Sequence, residues 1–199
     1  MSIKHFYFRF SLLGTILAII GISGFYSLGI CQSYRALEKQ QLQEKIEHRA
    51  TKQPFQLQQD TADISQKTYR KVNAYGHYDK HNEILIDNVV VSGKAGYHLL
   101  TPFILHKDHS VIMVNRGWLP VGRDRNILPT IETPDEAINI HGIIAPHKSR
   151  PPLILGELDM SAKVWLYFDI EKYSAHTKYN VLPVIILLDE NEKFGYRRE

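Results

Sequence analysis

Between Phe10 and Cys31 the chain runs for 22 residues without one charged side chain, and no other feature so narrows what it can fold into. As a helix rising 1.5 Å per residue, such a stretch reaches ~33 Å, enough to cross a hydrocarbon core about 30 Å thick. It is longer than the apolar region of a signal peptide, and no Ala-x-Ala cleavage site follows it. Buried in a soluble domain, it would need a larger body around it than the rest of the chain supplies. The expectation is a transmembrane helix over residues 10–32 behind a short flank, residues 1–9.

Cys31 closes the run and is the only cysteine in the chain. A single cysteine makes no internal disulfide and leaves the redox compartment open. Acylated lipoprotein cysteines follow a small residue, and Ile30 is not small, so a plain helical cysteine is expected. Lys4 and Arg9 precede the run, whereas 22 of the 24 basic residues and all 21 acidic ones lie beyond Gln32. That remainder is almost neutral and lacks the basic footprint of a nucleic-acid binder. Arg35, Lys39, Lys45, Arg49 and Lys52 follow the span closely, which by simple count would keep the domain in the cytoplasm. The rule weakens for long translocated domains, so charge alone leaves sidedness undecided.

Residues 33–53 begin with a long run free of Gly and Pro and rich in Gln, Glu, Lys and Leu, so the span should continue as a polar, membrane-proximal helix bounded by Pro54. Residues 54–199 read as a β-rich extramembranous domain. Strands are expected over Tyr69–Tyr78, Glu83–Val91, Tyr97–Leu105, Ser110–Val114, Ala137–Ala145, Lys163–Ile170 and Tyr179–Leu188. Ser92–Gly96 reads as a turn, Leu119–Pro134 as a long loop and Glu171–His176 as a helical turn or two. Pro102 suggests an edge or a bulge. The expected fold class is α+β: a mainly antiparallel, curled or barrel-like sheet with one N-terminal transmembrane helix.

Catalytic chemistry is hard to find. There is no Gly-rich phosphate loop, no Gly-x-Ser-x-Gly elbow and no His-Glu-x-x-His. His77 and His81, and His106 and His109, are paired in sequence, but strand ends and turns do not place two rings on one face at those spacings. Asp87, Asp124 and Glu157 are scattered. Arg123 and Arg125, like His147, Lys148 and Arg150, sit in expected loops, where solvation competes with contact to lipid headgroups or an acidic partner. No catalytic residue and no metal ligand is expected.

Three elements stand in a fixed order. The first is Leu28-Gly29, then Gln32 and Arg35. The second is Gly93-Lys94-Ala95-Gly96 leading to Thr101-Pro102-Phe103. The third is Val114-Asn115-Arg116-Gly117-Trp118-Leu119-Pro120. In this arrangement the chain resembles the Surfeit-locus (Shy-type) family of cytochrome c oxidase assembly factors, from about residue 10 to residue 198. Two departures stand out. Cys31 occupies a place where the family usually has Trp. Members usually end in a second transmembrane helix, and the last apolar run here, Val181–Leu188, is too short to span and contains Pro183. Haem binding proposed for bacterial members is attributed to that helix, so no haem ligand is carried over.

The resemblance implies a non-enzymatic assembly role. It places the protein in the bacterial cytoplasmic membrane with the domain on the periplasmic side, or in the mitochondrial inner membrane of a eukaryote. There it would help haem a, bound at most transiently, enter the catalytic subunit of a haem-copper oxidase. The competing reading is an anchored cell-envelope domain that binds haem or metal. Candidates for contact with the partner or haem are Gln32, Arg35, Gly76, Asn115, Arg116, Gly117 and Trp118. Asn115 and Arg116 are expected to close a buried strand and Gly117 to permit a turn. Trp118 is a core plug or a partner anchor. Arg116 holds either a partner's acidic group, a haem propionate, or an internal carboxylate. Gly76, near a strand end, should mark a bulge or a close backbone approach.

Overall fold

A computed structural model describes residues 11–57, 63–122, 124–125, 127–147, 159 and 162–197. Two units make up the chain, Met1–Lys45 and Ile46–Glu199. Arg123, Lys148, Arg150 and Glu157 lie outside the described residues.

A single helix, α1, runs unbroken from Leu12 to Ala50. Ser11 precedes it and accepts from the Gly14 amide through its hydroxyl at 3.4 Å, as an N-cap does. Leu12–Gln41 is long and apolar enough to cross a membrane. Along it, Ser23, Ser27 and Ser33 donate to carbonyls four residues earlier at 2.8–2.9 Å. That back-bonding satisfies each hydroxyl within the helix itself. Polar residues then replace apolar ones with no loss of helix, because Gln, Glu, Lys and Leu are all good helix formers.

The second unit is a barrel. Its strands are β1 (Phe55–Gln56), β2 (Lys71–Tyr78), β3 (Ile84–Val91), β4 (Lys94–Leu105), β5 (Val111–Pro120), β6 (Ile138–Pro146), β7 (Val164–Trp165) and β8 (Val181–Leu188), with α2 (Ile170–Thr177) before the last. The order is β1-β2-β6-β8-β5-β4-β3-β7, and a further β2–β4 pairing joins the sheet to itself. Pairing is antiparallel except for β1–β2, β3–β7 and β5–β8. Period-two alternation sets the inside. In β2, Val72, Ala74, Gly76 and Tyr78 are buried, while Lys71 and Tyr75 are exposed and Asn73 and His77 half-buried. They meet Phe103, Leu105, Ile112, Val114, Ile140, Ile144, Leu182, Val184, Ile186 and Leu188 in the main core. Outside the barrel, Leu100 and Met113 pack against Trp165, Phe168 and Tyr173 from the β7–α2 segment. With both faces covered, Val111–Val114 is almost wholly enclosed, as its continuous apolar run suggests.

Four expectations are corrected. Only Ser92 and Gly93 form the β3–β4 turn, and β4 already begins at Lys94. Pro102 is at neither an edge nor a bulge. It lies where the outer partner of β4 changes from β3, ending at Leu100, to β2, beginning at Phe103, a position that needs no amide proton. Lys163–Ile170 is a strand only at Val164–Trp165, because Asp169 caps α2 by accepting from the Lys172 amide at 3.1 Å. Lastly, β5 does not end at Arg116. It continues to Pro120, and Gly117 sits inside a bulge rather than in a turn.

Candidate functional site

That bulge organises the most polar part of the interior. Gly117 faces Leu99 and Asn115 faces Leu100, so Arg116 is the extra residue. The Asn115 Oδ1 accepts from the Gly117 amide at 2.9 Å and holds the kink. A bulge of this kind re-aims a side chain. Here it places Arg116, which is 0 % exposed, over the ring of Tyr78 with its guanidinium carbon 5.0 Å from the centroid.

Every side of the guanidinium is taken. Nε donates to the Phe194 carbonyl at 2.9 Å, Nη1 to the Thr133 hydroxyl at 2.6 Å, and Nη2 to the Glu132 carbonyl. Glu83, 5 % exposed at its side chain, lies 3.9 Å from Nη1, accepts from the Thr133 hydroxyl at 3.3 Å and pairs with Lys163 at 3.0 Å. Burial pushes the Arg116 pKa down while Tyr78, Tyr196 and Glu83 oppose it, and an arginine stays charged regardless. Burial likewise pushes Tyr78 well up, so its hydroxyl is neutral. Outside this cluster lies a groove of about 540 Å³ lined by Lys80, His81, Glu83, Glu132, Thr133 and Phe194.

The bulge also holds the end of the chain. The Tyr196 amide donates to the Arg116 carbonyl at 2.6 Å, and the Trp118 amide to the Arg197 carbonyl at 2.7 Å. Beyond Asn115, where β8 ceases to pair with β5, residues 196–197 take its place. Trp118 is 5 % exposed and donates its indole N–H to the Val89 carbonyl at 3.3 Å. Its indole crosses Gly96, where a Cβ would run into the ring.

Gly117 has φ +115°, and a Cβ there would strike the Tyr196 carbonyl and lie 2.9 Å from that of Arg197. Gly117→Val should therefore cost about 1–3 kcal/mol in backbone strain and release the tail. Hydrogen exchange at the Tyr196 amide should speed up before the rest of the barrel loosens. Unchanged protection at Tyr196 would refute this account of the glycine.

A second network ties the β2–β3 loop to α2 and the segment just after it. Asp79 accepts from the Asn82 side chain at 2.6 Å, the Tyr179 hydroxyl at 2.7 Å and the His81 amide at 3.0 Å. The Tyr173 hydroxyl donates to the Asn82 carbonyl at 2.7 Å. Burial pulls the Asp79 pKa up, but these hydrogen bonds outweigh it and hold the carboxyl below its usual range. Such a group gives stability that is complete above the unfolded value, about 3.9, and is lost as pH falls through the lower folded value. Wild-type protein should lose stability on acidification below that value, and Asp79→Asn should lose less across the same range. Equal slopes in urea unfolding would refute the assignment.

Of the residues singled out by sequence, Asn115, Arg116, Gly117 and Trp118 are brought together in one bulge. Gly76 belongs to another place, the β2–β4 seam, and Gln32 and Arg35 are exposed on α1 in the other unit. Sequence reasoning missed Glu83, Thr133, Tyr78 and Tyr196. Glu83 left one trace, a carboxylate heading an apolar strand, which calls for a buried cation somewhere. His77 lies on β2 and His81 in the loop after it, while His106 and His109 flank the β4–β5 turn. No group of three His, Cys, Asp or Glu side chains suited to a metal occurs among the described residues.

The fold is a β-barrel whose buried polar residues hold its own loops and tail, on a chain with a helix of membrane-spanning length. The chain belongs to the SURF1 family, whose model matches residues 19–198. It is 30 % identical over 164 residues to the cytochrome oxidase assembly protein SHY1 of Saccharomyces cerevisiae, covering 79 % of this chain and 42 % of that one. Similarity extends to a SURF1-like protein of Caenorhabditis briggsae, 27 % identical over 80 % of this chain and 56 % of the relative. Surfeit locus protein 1 of Takifugu rubripes is 26 % identical over 73 % and 67 %. The chain spans about half the length of the curated relatives it matches.

Proposed function

We propose that the protein is a membrane-anchored assembly factor for a haem-copper oxidase, assisting maturation of the catalytic subunit or delivery of haem a to it. The family match, with a yeast relative named as a cytochrome oxidase assembly protein, carries this reading. Haem a enters as cargo, and no residue of this chain is assigned to hold it. Leu12–Gln41 would anchor the chain in the bacterial cytoplasmic membrane with the barrel on the periplasmic side, or in the mitochondrial inner membrane of a eukaryote. In this reading Gly76 and Asn115–Trp118 act by holding the barrel in shape. Gln32 and Arg35, exposed where the apolar stretch gives way to polar helix, would in this reading meet the partner subunit near the bilayer surface.

Deleting the gene should lower haem-copper oxidase activity and the haem a absorbance of the membranes while other respiratory complexes stay intact. Assembly should be slowed rather than abolished, since a scaffold supplies no bond-making group. The protein should stay in the membrane pellet through a carbonate wash, because hydrophobic insertion is not screened by salt. Normal oxidase spectra in the deletion strain would sink the assignment, and release by carbonate would sink the anchor.

A further inference from the structure

Positive charge is unevenly placed within the barrel unit. Residues 46–71 carry five Lys and Arg against three acids, whereas residues 72–199 carry fourteen against sixteen. The fold gathers those five cations at one corner. Arg49, near the end of α1, donates through Nη1 to the Thr68 carbonyl at 3.0 Å and to the Thr68 hydroxyl and Gln66 carbonyl at 3.3 Å. Arg70 and Lys67 both lie against the ring of Phe55, 5.0 and 5.3 Å from its centroid, and Arg70 also donates to the Gln53 carbonyl at 3.4 Å. Lys52 follows Arg49 in a turn, and Lys71 opens β2 just before Val72, which pairs with Phe55. Both lysines are exposed.

Other cations of the barrel are set against carboxylates, as in Lys80–Asp135, Arg125–Asp87 and the pairs that Arg116 and Lys163 make with Glu83. Here the hydrogen bonds described for Arg49 and Arg70 end on neutral acceptors, which fix the guanidiniums without cancelling their charge. Phe55 attracts each cation to its ring and so holds two like charges beside one another, where a single carboxylate would relieve both. Of the three acids, Asp63 is engaged by the Gln66 side-chain amide at 3.3 Å. An anionic bilayer lies too far off to supply the missing charge. On the anchor reading the hydrocarbon ends near Cys31, and α1 continues unbroken from there to Arg49, about 27 Å at 1.5 Å per residue. Headgroups reach only about 6 Å past the hydrocarbon, and their charge is screened within about 8 Å. A polypeptide, by contrast, brings several carboxylates at the spacing of the cations.

We propose that Arg49, Lys52, Lys67, Arg70 and Lys71, gathered around Phe55, form a docking corner for an acidic segment of another polypeptide. The corner is defined by its charge and does not depend on the oxidase assignment. Two acetylated, amidated octapeptides test it on the full-length protein in neutral-lipid nanodiscs, one alternating Glu with Ser and its twin alternating Gln with Ser. The Glu peptide should bind and slow acylation of Lys52 and Lys71 by a water-soluble reagent, and the Gln twin should bind about tenfold more weakly or not at all. Affinity for the Glu peptide should fall at least tenfold between about 0.05 and 0.5 M salt. Replacing both exposed lysines, Lys52→Gln with Lys71→Gln, should weaken it about tenfold with an unchanged melting temperature. Equal binding of the two peptides, or protection centred on Lys94 or Lys163 instead, would overturn the proposal. Slower acylation of Lys52 and Lys71 in anionic than in neutral nanodiscs, without peptide, would assign the corner to lipid and overturn it too. The two-peptide comparison uses wild-type protein and does not depend on the variant folding.

Discussion

Arg116→Ala should be the most damaging single truncation in the barrel. The side chain is fully enclosed, and its loss strands the Phe194 and Glu132 carbonyls and leaves Glu83 with only Lys163 and the Thr133 hydroxyl. Removing one partner of a buried charge pair costs about 3–5 kcal/mol, a large share of a typical 5–15 kcal/mol of stability. The expected result is a much lower melting temperature and little accumulated protein. Arg116→Lys should recover only part of the loss, because a single ammonium cannot reach a carbonyl on each side and a hydroxyl between them. Arg116→Ala and Glu83→Gln together should cost less than the sum of the two single changes, a coupling measurable by a double-mutant cycle. A stable, abundant Arg116→Ala protein that nonetheless fails to support oxidase assembly would mean that the guanidinium acts on a partner instead.

The strands were legible because their periodicity is strong. Val72, Ala74 and Tyr78 alternate cleanly with outward residues, and Val111–Val114 reads as a run covered on both sides. Even the extent of α1 follows from helix formers replacing apolar residues without a break. The bulge was not legible. Asn115-Arg116-Gly117 looks like turn chemistry, and only the pairing of β5 with β4 shows that the kink lies inside a continuing strand. Glycine at φ +115° serves a bulge as well as a turn, so the residue type could not decide between them. The short β7 was hidden for a different reason. Trp165, Leu166, Tyr167 and Phe168 all favour strands, but Asp169 ends the segment by starting a helix.

The contacts of Arg116 were illegible in principle. Glu83, Thr133 and the Phe194–Tyr196 tail come from three different segments, and only a closed barrel brings them to one end of β5. Two residues of that bulge therefore act at a distance from themselves: Arg116 fixes the Glu132–Thr133 loop and the tail, and Trp118 fixes the end of β3. Damage to the bulge should spread to both the groove and the end of β3.

Gly76→Glu should be comparably severe, and for a separable reason. Gly76 faces Ile138 of β6 and Leu105 of β4, the residue at which β2 passes from one partner to the other and joins the sheet to itself. A Cβ there would run into the Ile104 carbonyl and lie 2.9 Å from the Phe103 ring. A backbone carbonyl held in a ladder cannot swing aside as a flexible side chain can, so β2 and β4 must part. Gly76→Ala should already destabilise the barrel through this overlap, by about 1–3 kcal/mol as overpacking does. The glutamate adds a carboxylate at a buried position with no cation assigned to it, which costs several kcal/mol more unless the strand peels away to solvate it. Exchange at the His106 and Asp79 amides, which donate across the seam to the Tyr75 and Pro102 carbonyls, should rise by orders of magnitude in the glutamate variant and modestly in the alanine one. The Arg116 cluster at the other strand should fail later than the seam. Wild-type protection at His106 in Gly76→Glu would show that the seam tolerates a side chain and that closure of the barrel does not rest on this glycine.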